Sequence, residues 1–237
     1  MTGASEAPEP GDPESSPLSA QRVRAAYDTV ASDYAAAFAD DLELLPLDRA
    51  MIDAATTASD ARRVAVDLGC GPAPVAARVA RSGRAVIGLD GSAGMLGAAR
   101  RRQPGLSLVQ ADIRRLPFRR HVVGCVIAYY CIQHVPRLEL SVVLGQLAEA
   151  LRPGGVLLVA AHLGQGVVVF DEFLGHRIEP TGGTLYGREE LRSQLSGAGF
   201  VIEDVHERGA LKHEADTRRI YVLARAGADQ AASGTSS

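Results

Sequence analysis

The stretch VAVDLGCGPAP, Val64 to Pro74, joins an apolar run to a glycine turn. Its first five residues are apolar except for one aspartate, the pattern of a strand buried on both faces. The turn reads G-x-G-x-x-P, with Gly69, Gly71 and Pro74 at the marked places. Such a turn between strand and helix cradles nucleotides, because glycine lets the backbone approach closely and the helix start offers free N–H groups. Two residues restrict which nucleotide. Pro74 stands where a dinucleotide fingerprint has its third glycine, and Asp67 stands two residues before the first. A carboxylate there repels a pyrophosphate and suits a ligand with a positive amine or sulfonium. A nicotinamide oxidoreductase is thereby disfavoured.

Outward from the turn, apolar runs alternate with helical periods. Strands are expected over 63–69, 85–91, 106–112, 122–130 and 156–162, and helices over 74–83, 93–103 and 137–152, the last ending at Pro153-Gly154-Gly155. Near-continuous apolar strands with helical crossovers specify a parallel sheet covered on both faces. A helix over 188–200 and strands over 201–207 and 218–226 close the pattern as an antiparallel pair. Upstream, Val23, Tyr27, Val30 and Tyr34 recur at helical spacing, and a second helix is expected over 46–56. Residues 163–187 carry an apolar patch and several glycines without a clear period. The expected fold is α/β: a doubly wound, Rossmann-like, mostly parallel seven-stranded sheet with an antiparallel final strand and an N-terminal helical cover. One domain is expected over 18–226, with a helical cap at 18–60 and a lid or insert at 164–186. The tails 1–17 and 227–237 are expected to be disordered, having too little apolar surface to bury.

Ligands of such a sheet bind outside the carboxyl ends of its strands. Asp90 ends the second strand about twenty residues after the turn, where a carboxylate accepts from ribose hydroxyls. Asp112 ends the third, placed to meet an adenine amino group while Ile113 packs on the ring. Three acids at consecutive strand ends beside a glycine turn make a site.

These residues carry a resemblance. VDLGCGPAP, GLDGSAGML, QADIRRLPF, YYCIQHVP and LRPGGVLLVAAH resemble the class I S-adenosylmethionine-dependent methyltransferases, in the small-molecule branch grouped as type 11 or ubiquinone-biosynthesis-like. The resemblance covers roughly 23–226. It implies that Asp67 with Gly69, Cys70 and Gly71 holds the methionine portion of S-adenosylmethionine, and that Asp90 takes the ribose. Met95 would lie against the adenine, and Asp112 with Ile113 would fix its edge. Tyr27 and Tyr34 would close the site, and Gly91 and Tyr129 complete the implied cofactor contacts. YYCIQHVP lacks the Asn/Asp-Pro-Pro-Tyr signature of enzymes that methylate adenine or glutamine nitrogens.

Methyl transfer from a sulfonium needs a base only if the acceptor enters protonated. The candidate bases are His134, after the fourth strand, His162, ending the fifth, and the group Asp171, Glu172 and His176; of these His134 and His162 are taken as the catalytic residues. Glu172 and His176 would share a face if helical, but one such pair is a weak metal motif, and no metal is expected. His206 and His213 read as surface residues. The acceptor is expected to be a small, hydrophobic molecule.

Composition bounds the rest. A chain of 237 residues, 46% hydrophobic and with net charge −3, suits one α/β domain. Mild acidity without a large basic block argues against nucleic-acid binding. Cys70, Cys125 and Cys131 lack zinc spacing and read as reduced thiols. The N-terminus lacks the marks of a signal peptide, and the apolar run near 122–132 is about half a membrane span, so a cytoplasmic protein is expected. Oligomeric state is open. A silent cofactor-binding or partner-binding module on the same fold is the alternative function.

Overall fold

The computed structural model of the chain describes residues 16–38, 40–212 and 214–227. The tails expected at 1–17 and 227–237 lie almost wholly outside them. Seven strands form one sheet in the order β3-β2-β1-β4-β5-β9-β8. They are β1 (Val64–Leu68), β2 (Val86–Asp90), β3 (Ser107–Gln110), β4 (Val123–Tyr129), β5 (Leu151–Leu163), β8 (Phe200–Arg208) and β9 (Arg218–Ala226). Only β9 runs against its neighbours, pairing antiparallel with both β5 and β8. Strand order reverses between β1 and β4, and the crevice at their carboxyl ends is where such sheets bind ligands.

Both faces are covered, and single strands supply both cores. Along β4, Val126 and Ala128 pack under α5 (Leu140–Ala150) and α6 (Arg188–Gly197). Their neighbours Cys125 and Ile127 pack on the other face with α2 (Pro46–Ala58), α3 (Pro74–Arg81) and α4 (Ala93–Arg102). This period of two makes a continuous apolar run necessary. All three cysteines are buried and unpaired.

The N-terminal segment divides its work. Helix α2 buries Met51, Ile52 and Ala55 against the sheet, whereas α1 (Ala20–Phe38) lies over the strand ends, against α4 and the strand β7 described next. Residues 163–187, read without a period, contain an antiparallel hairpin, β6 (Val167–Phe173) and β7 (His176–Thr184). Gly182 lets the two strands meet: a Cβ there would sit 2.1 Å from the carbonyl oxygen of Val168. Helix α5 ends at Ala150, earlier than expected, because Leu151 already pairs with Val123 in the sheet. Among the described residues no helix is long and apolar enough to cross a membrane.

Candidate active site

Above the reversal point lies a cavity of about 870 Å³, roofed by α1 and by β6–β7. Lining it are Tyr27, Tyr34, Asp67, Gly69, Cys70, Gly71, Asp90, Gly91, Met95, Asp112, Ile113, Tyr129, His134 and His162, whereas the further candidate bases Asp171, Glu172 and His176 are not among its lining residues. Asp90 ends β2 as expected, while Asp112 stands two residues beyond the end of β3.

The glycine turn is shaped by close packing. Gly69 has φ +65°, and a Cβ there would sit 2.3 Å from that of Cys131. Beyond it, Pro74 takes the first position of α3 and has no N–H, and the amide of Ala76 donates to Asp67 Oδ2 at 2.8 Å. At the helix start, then, the amide of position 74 is absent and that of Ala76 is taken, which disfavours a pyrophosphate at this turn. Asp90 is held from both sides: Gly71 N–H donates to Oδ2 and Ser92 N–H to Oδ1, each at 2.8 Å.

Asp67 is 1% exposed. Burial pushes its carboxyl up to about 7; the Ala76 amide opposes the shift and Asp90 adds to it. Burial likewise raises Asp90, against the pull of the Ser92 and Gly71 amides. Among the described residues no arginine or lysine pairs with Asp67, Asp90 or Asp112. Buried acids without cations disfavour their own charge, and a positive ligand removes that penalty.

Helix α1 is pinned over this row. Asp28 Oδ1 accepts from Ser92 Oγ at 2.5 Å and from Gly94 N at 2.8 Å, tying α1 to the start of α4. Tyr27 and Tyr34 then meet edge to face, with Phe173 of the hairpin against both. Tyr27 Oη lies 2.9 Å from His134 Nε2, and His134 Nδ1 lies 3.0 Å from the carbonyl of Gly182. A carbonyl only accepts, so Nδ1 carries the hydrogen and Nε2 receives the tyrosine hydroxyl. Burial, followed by Arg114, keeps this imidazole neutral by lowering its pKa; burial raises that of Tyr27. One hydrogen-bonded line therefore joins α1, the loop after β4 and the hairpin.

His162 is less engaged. Its Nδ1 lies 2.7 Å from Thr217 Oγ1, and burial, then Arg219, lowers its pKa to about 4. The ring of Tyr130 sits 5.0 Å away, on a residue with φ +53° directly after β4.

A buried polar cluster completes this side, and the sequence reading did not include it. Asp48 of α2 is fully buried and accepts from the hydroxyls of Tyr129 at 2.7 Å and Tyr221 at 2.8 Å, with Tyr130 at 3.4 Å. Arg208 contacts its other oxygen at 3.1 Å and also grips Glu214 at 2.5 and 2.7 Å. The signal was present: Asp48 falls in phase with the buried stripe Met51, Ile52 and Ala55, where an acid must find partners. Glu172 and His176 occupy opposite arms of the hairpin, and His176 Nε2 lies 2.7 Å from Asp33. His206 is exposed, beside Asp204, and His213 lies outside the described residues.

Comparison with known proteins agrees with this geometry. The family described as "Methyltransferase domain" matches residues 65–155. Malonyl-[acyl-carrier protein] O-methyltransferase of Enterobacter lignolyticus is 33% identical over 190 residues, 76% of this chain and 70% of its own length. Trans-aconitate 2-methyltransferase of Methylobacterium nodulans is 42% identical over 96 residues, 40% of this chain and 36% of its own. A SAM-dependent methyltransferase structure from Methanosarcina mazei superposes with a TM-score of 0.65 at 16% identity, covering 73% of this chain and 96% of that one. The chain belongs to the S-adenosylmethionine-dependent methyltransferases, with S-adenosylmethionine as cofactor. The unpaired carboxylates beside the glycine turn fit that positively charged nucleoside.

Proposed function

We propose that the chain transfers a methyl group to a small organic acceptor with an apolar body, held at the rim of β4 and β5. The row of carboxylates without cation partners, Asp67 buried and Asp90 and Asp112 half-buried, carries this reading. Relatives named for the malonyl group of malonyl-[acyl-carrier protein] and for trans-aconitate support a small organic acceptor group. In this reading Asp67 and the Gly69–Cys70–Gly71 turn hold the methionine portion, Asp90 with Gly91 the ribose, and Met95, Asp112 and Ile113 the adenine. S-adenosylmethionine, when bound, supplies a methyl group on a positively charged sulfur, a leaving group that needs no protonation. Tyr27, Tyr34 and Phe173 exclude water from that half of the cavity. Val23, Val168, Phe170 and Leu185 line the apolar wall available to the acceptor.

Proton handling falls to Tyr27 and His134. An acceptor hydroxyl donates to Tyr27 Oη while the tyrosine proton moves to His134 Nε2, leaving an imidazolium whose Nδ1–H keeps the Gly182 carbonyl. Tyr129 borders the transfer point, its hydroxyl held by Asp48.

Calorimetry with S-adenosylhomocysteine tests the reading. Wild type should bind it, and Asp90→Ala should weaken binding by about ten- to a hundredfold with the fold retained, the range for charge-assisted hydrogen bonds. No binding by the wild type defeats the proposal. Tight binding with no methyl transfer to any of a broad acceptor panel would make the chain a silent cofactor-binding module.

A further inference from the structure

The cofactor end of the cavity is acidic, and the cations lie elsewhere. Asp41, Asp67 and Asp90 line it beside the glycine turn, and the arginines or lysines lining any part of the cavity are Arg24, Arg114 and Arg219. Each of these is placed away from the turn. Helix α1 leads into a short helical turn, Asp41–Leu44, and Leu42 borders a small recess with Pro72 and Pro74, so the C-terminal end of α1 is the end at the glycine turn. Arg24 stands ten residues before Tyr34, about 15 Å back along the helix. Arg114 Nη2 donates to the carbonyls of Leu18 at 2.5 Å and His134 at 3.2 Å. Arg219 is on β9, three strands from β1, or roughly 14 Å across the sheet. In the recess, Arg81 and Arg102 pair with Glu43 at 3.5 Å and Asp40 at 2.6 Å. The residues outside the described ranges include neither lysine nor arginine.

The amides of the turn are largely committed as well. From Gly69 to Ala76, the N–H groups of Cys70, Gly71, Ala73 and Ala76 already donate to Leu89, Asp90, Cys70 and Asp67. Pro72 and Pro74 have none, so at most Gly69 and Val75 remain for an anion. An amino-acid ligand brings both an ammonium and a carboxylate to this place. The ammonium meets three acids. The carboxylate meets the same three with no cation to offset them, and Coulomb repulsion acts without contact. Asp41 is the freest of the three: it is half-buried, and its carboxylate has no hydrogen-bond or ion-pair partner among the described residues.

We propose that this end of the cavity reads the amine of its ligand and not the carboxylate, with Asp41 as a further binding residue for that amine. The ligand class that follows is the decarboxylated sulfonium nucleoside, which keeps the ammonium and carries one more net positive charge than S-adenosylmethionine. The inference rests on the methyltransferase reading above, in which the turn holds the methionine portion.

The test is calorimetry on the full chain with three nucleosides. They are S-adenosylhomocysteine, its decarboxylated counterpart S-adenosyl-3-thiopropylamine, and 5′-methylthioadenosine, which lacks both charged groups. The propylamine should bind at least as tightly as S-adenosylhomocysteine, and methylthioadenosine at least about tenfold more weakly than the propylamine. Asp41→Asn should weaken the propylamine by about three- to tenfold. It should leave S-adenosylhomocysteine within about twofold of wild type, because attraction for the amine and repulsion of the carboxylate are lost together. Tighter binding of S-adenosylhomocysteine than of the propylamine, methylthioadenosine binding as well as the propylamine, or an Asp41→Asn protein with wild-type affinity for the propylamine overturns the inference while leaving the methyltransferase reading intact. The first two comparisons use the wild type alone and do not depend on the folding of the variant. Failure of the wild type to bind S-adenosylhomocysteine and the propylamine overturns both.

Discussion

At the rim of β1 and β2, Asp67 is buried and Asp90 half-buried, and both have only backbone amides for partners. At the rim of β8 and β9, Asp48 is buried as deeply as Asp67, yet it receives two short tyrosine hydrogen bonds and a guanidinium. Asp48 and Asp67 match in residue type and burial, but the completion differs. The second carboxylate is answered by the protein and acts as a tie between α2 and the far strands. In the proposed function the first pair is left for the cofactor to answer, and that incompleteness is what would distinguish a binding site from a structural joint.

The sharpest way to break the comparison is to fill the turn. Gly69→Ala adds a Cβ against Cys131 at a left-handed backbone position, so both folding and ligand binding should fail. A soluble, cooperative melt with S-adenosylhomocysteine affinity near wild type would show that the turn does not define the site. Next in size is Asp48→Ala, which takes the buried acceptor from two tyrosine hydroxyls and one of two carboxylates from Arg208. A loss of about 3–5 kcal/mol, or on the order of 10 °C in Tm, is expected from thermal denaturation. Its affinity for S-adenosylhomocysteine should stay within about 0.5 kcal/mol of wild type; a drop as large as that of Asp90→Ala would merge the two regions into one.

The smallest effect has an unusual sign. The folded-state pKa of Asp67, near 7, lies above its ordinary value of 3.8, so the folded protein binds the proton more strongly. The stability associated with that proton is complete below about 3.8 and is lost as pH rises toward about 7. Asp67→Asn should therefore stabilise the ligand-free protein on the order of 1 kcal/mol at about pH 8 and leave it unchanged near pH 4, while weakening S-adenosylmethionine binding. Melting curves at the two pH values, with and without cofactor, read this directly. A variant less stable at both would show that the carboxylate is structural.

Legibility followed the range of the interactions involved. The strand, turn and helix around Val64–Pro74 could be read because they depend on neighbours in the chain: apolar continuity, two glycines, one proline. The hairpin at 167–184 escaped because its turn residues, Leu174 and Gly175, both adopt positive φ, and leucine hides the usual Asn-Gly or Asp-Gly signal. Its second arm, with a proline and paired glycines, has no period to detect. The pairing of Tyr27 with His134 spans 107 residues, and that of Asp48 with Tyr221 spans 173. Neither pairing has a local trace, although the helical phase of Asp48 shows that it is buried.

From the chain alone came the α/β class, the parallel strands with their helical crossovers, the reversed final strand, and the acids gathered near the glycine turn. All of these follow from side-chain periodicity and backbone preference within one strand–helix unit. Tertiary structure alone decided which acids lack cations, which histidine nitrogen is already occupied, and that a carboxylate from α2 braces the tyrosines after β4. A buried group's charge and hydrogen bonds depend on everything within a few ångströms of it, and folding draws those neighbours from all along the chain.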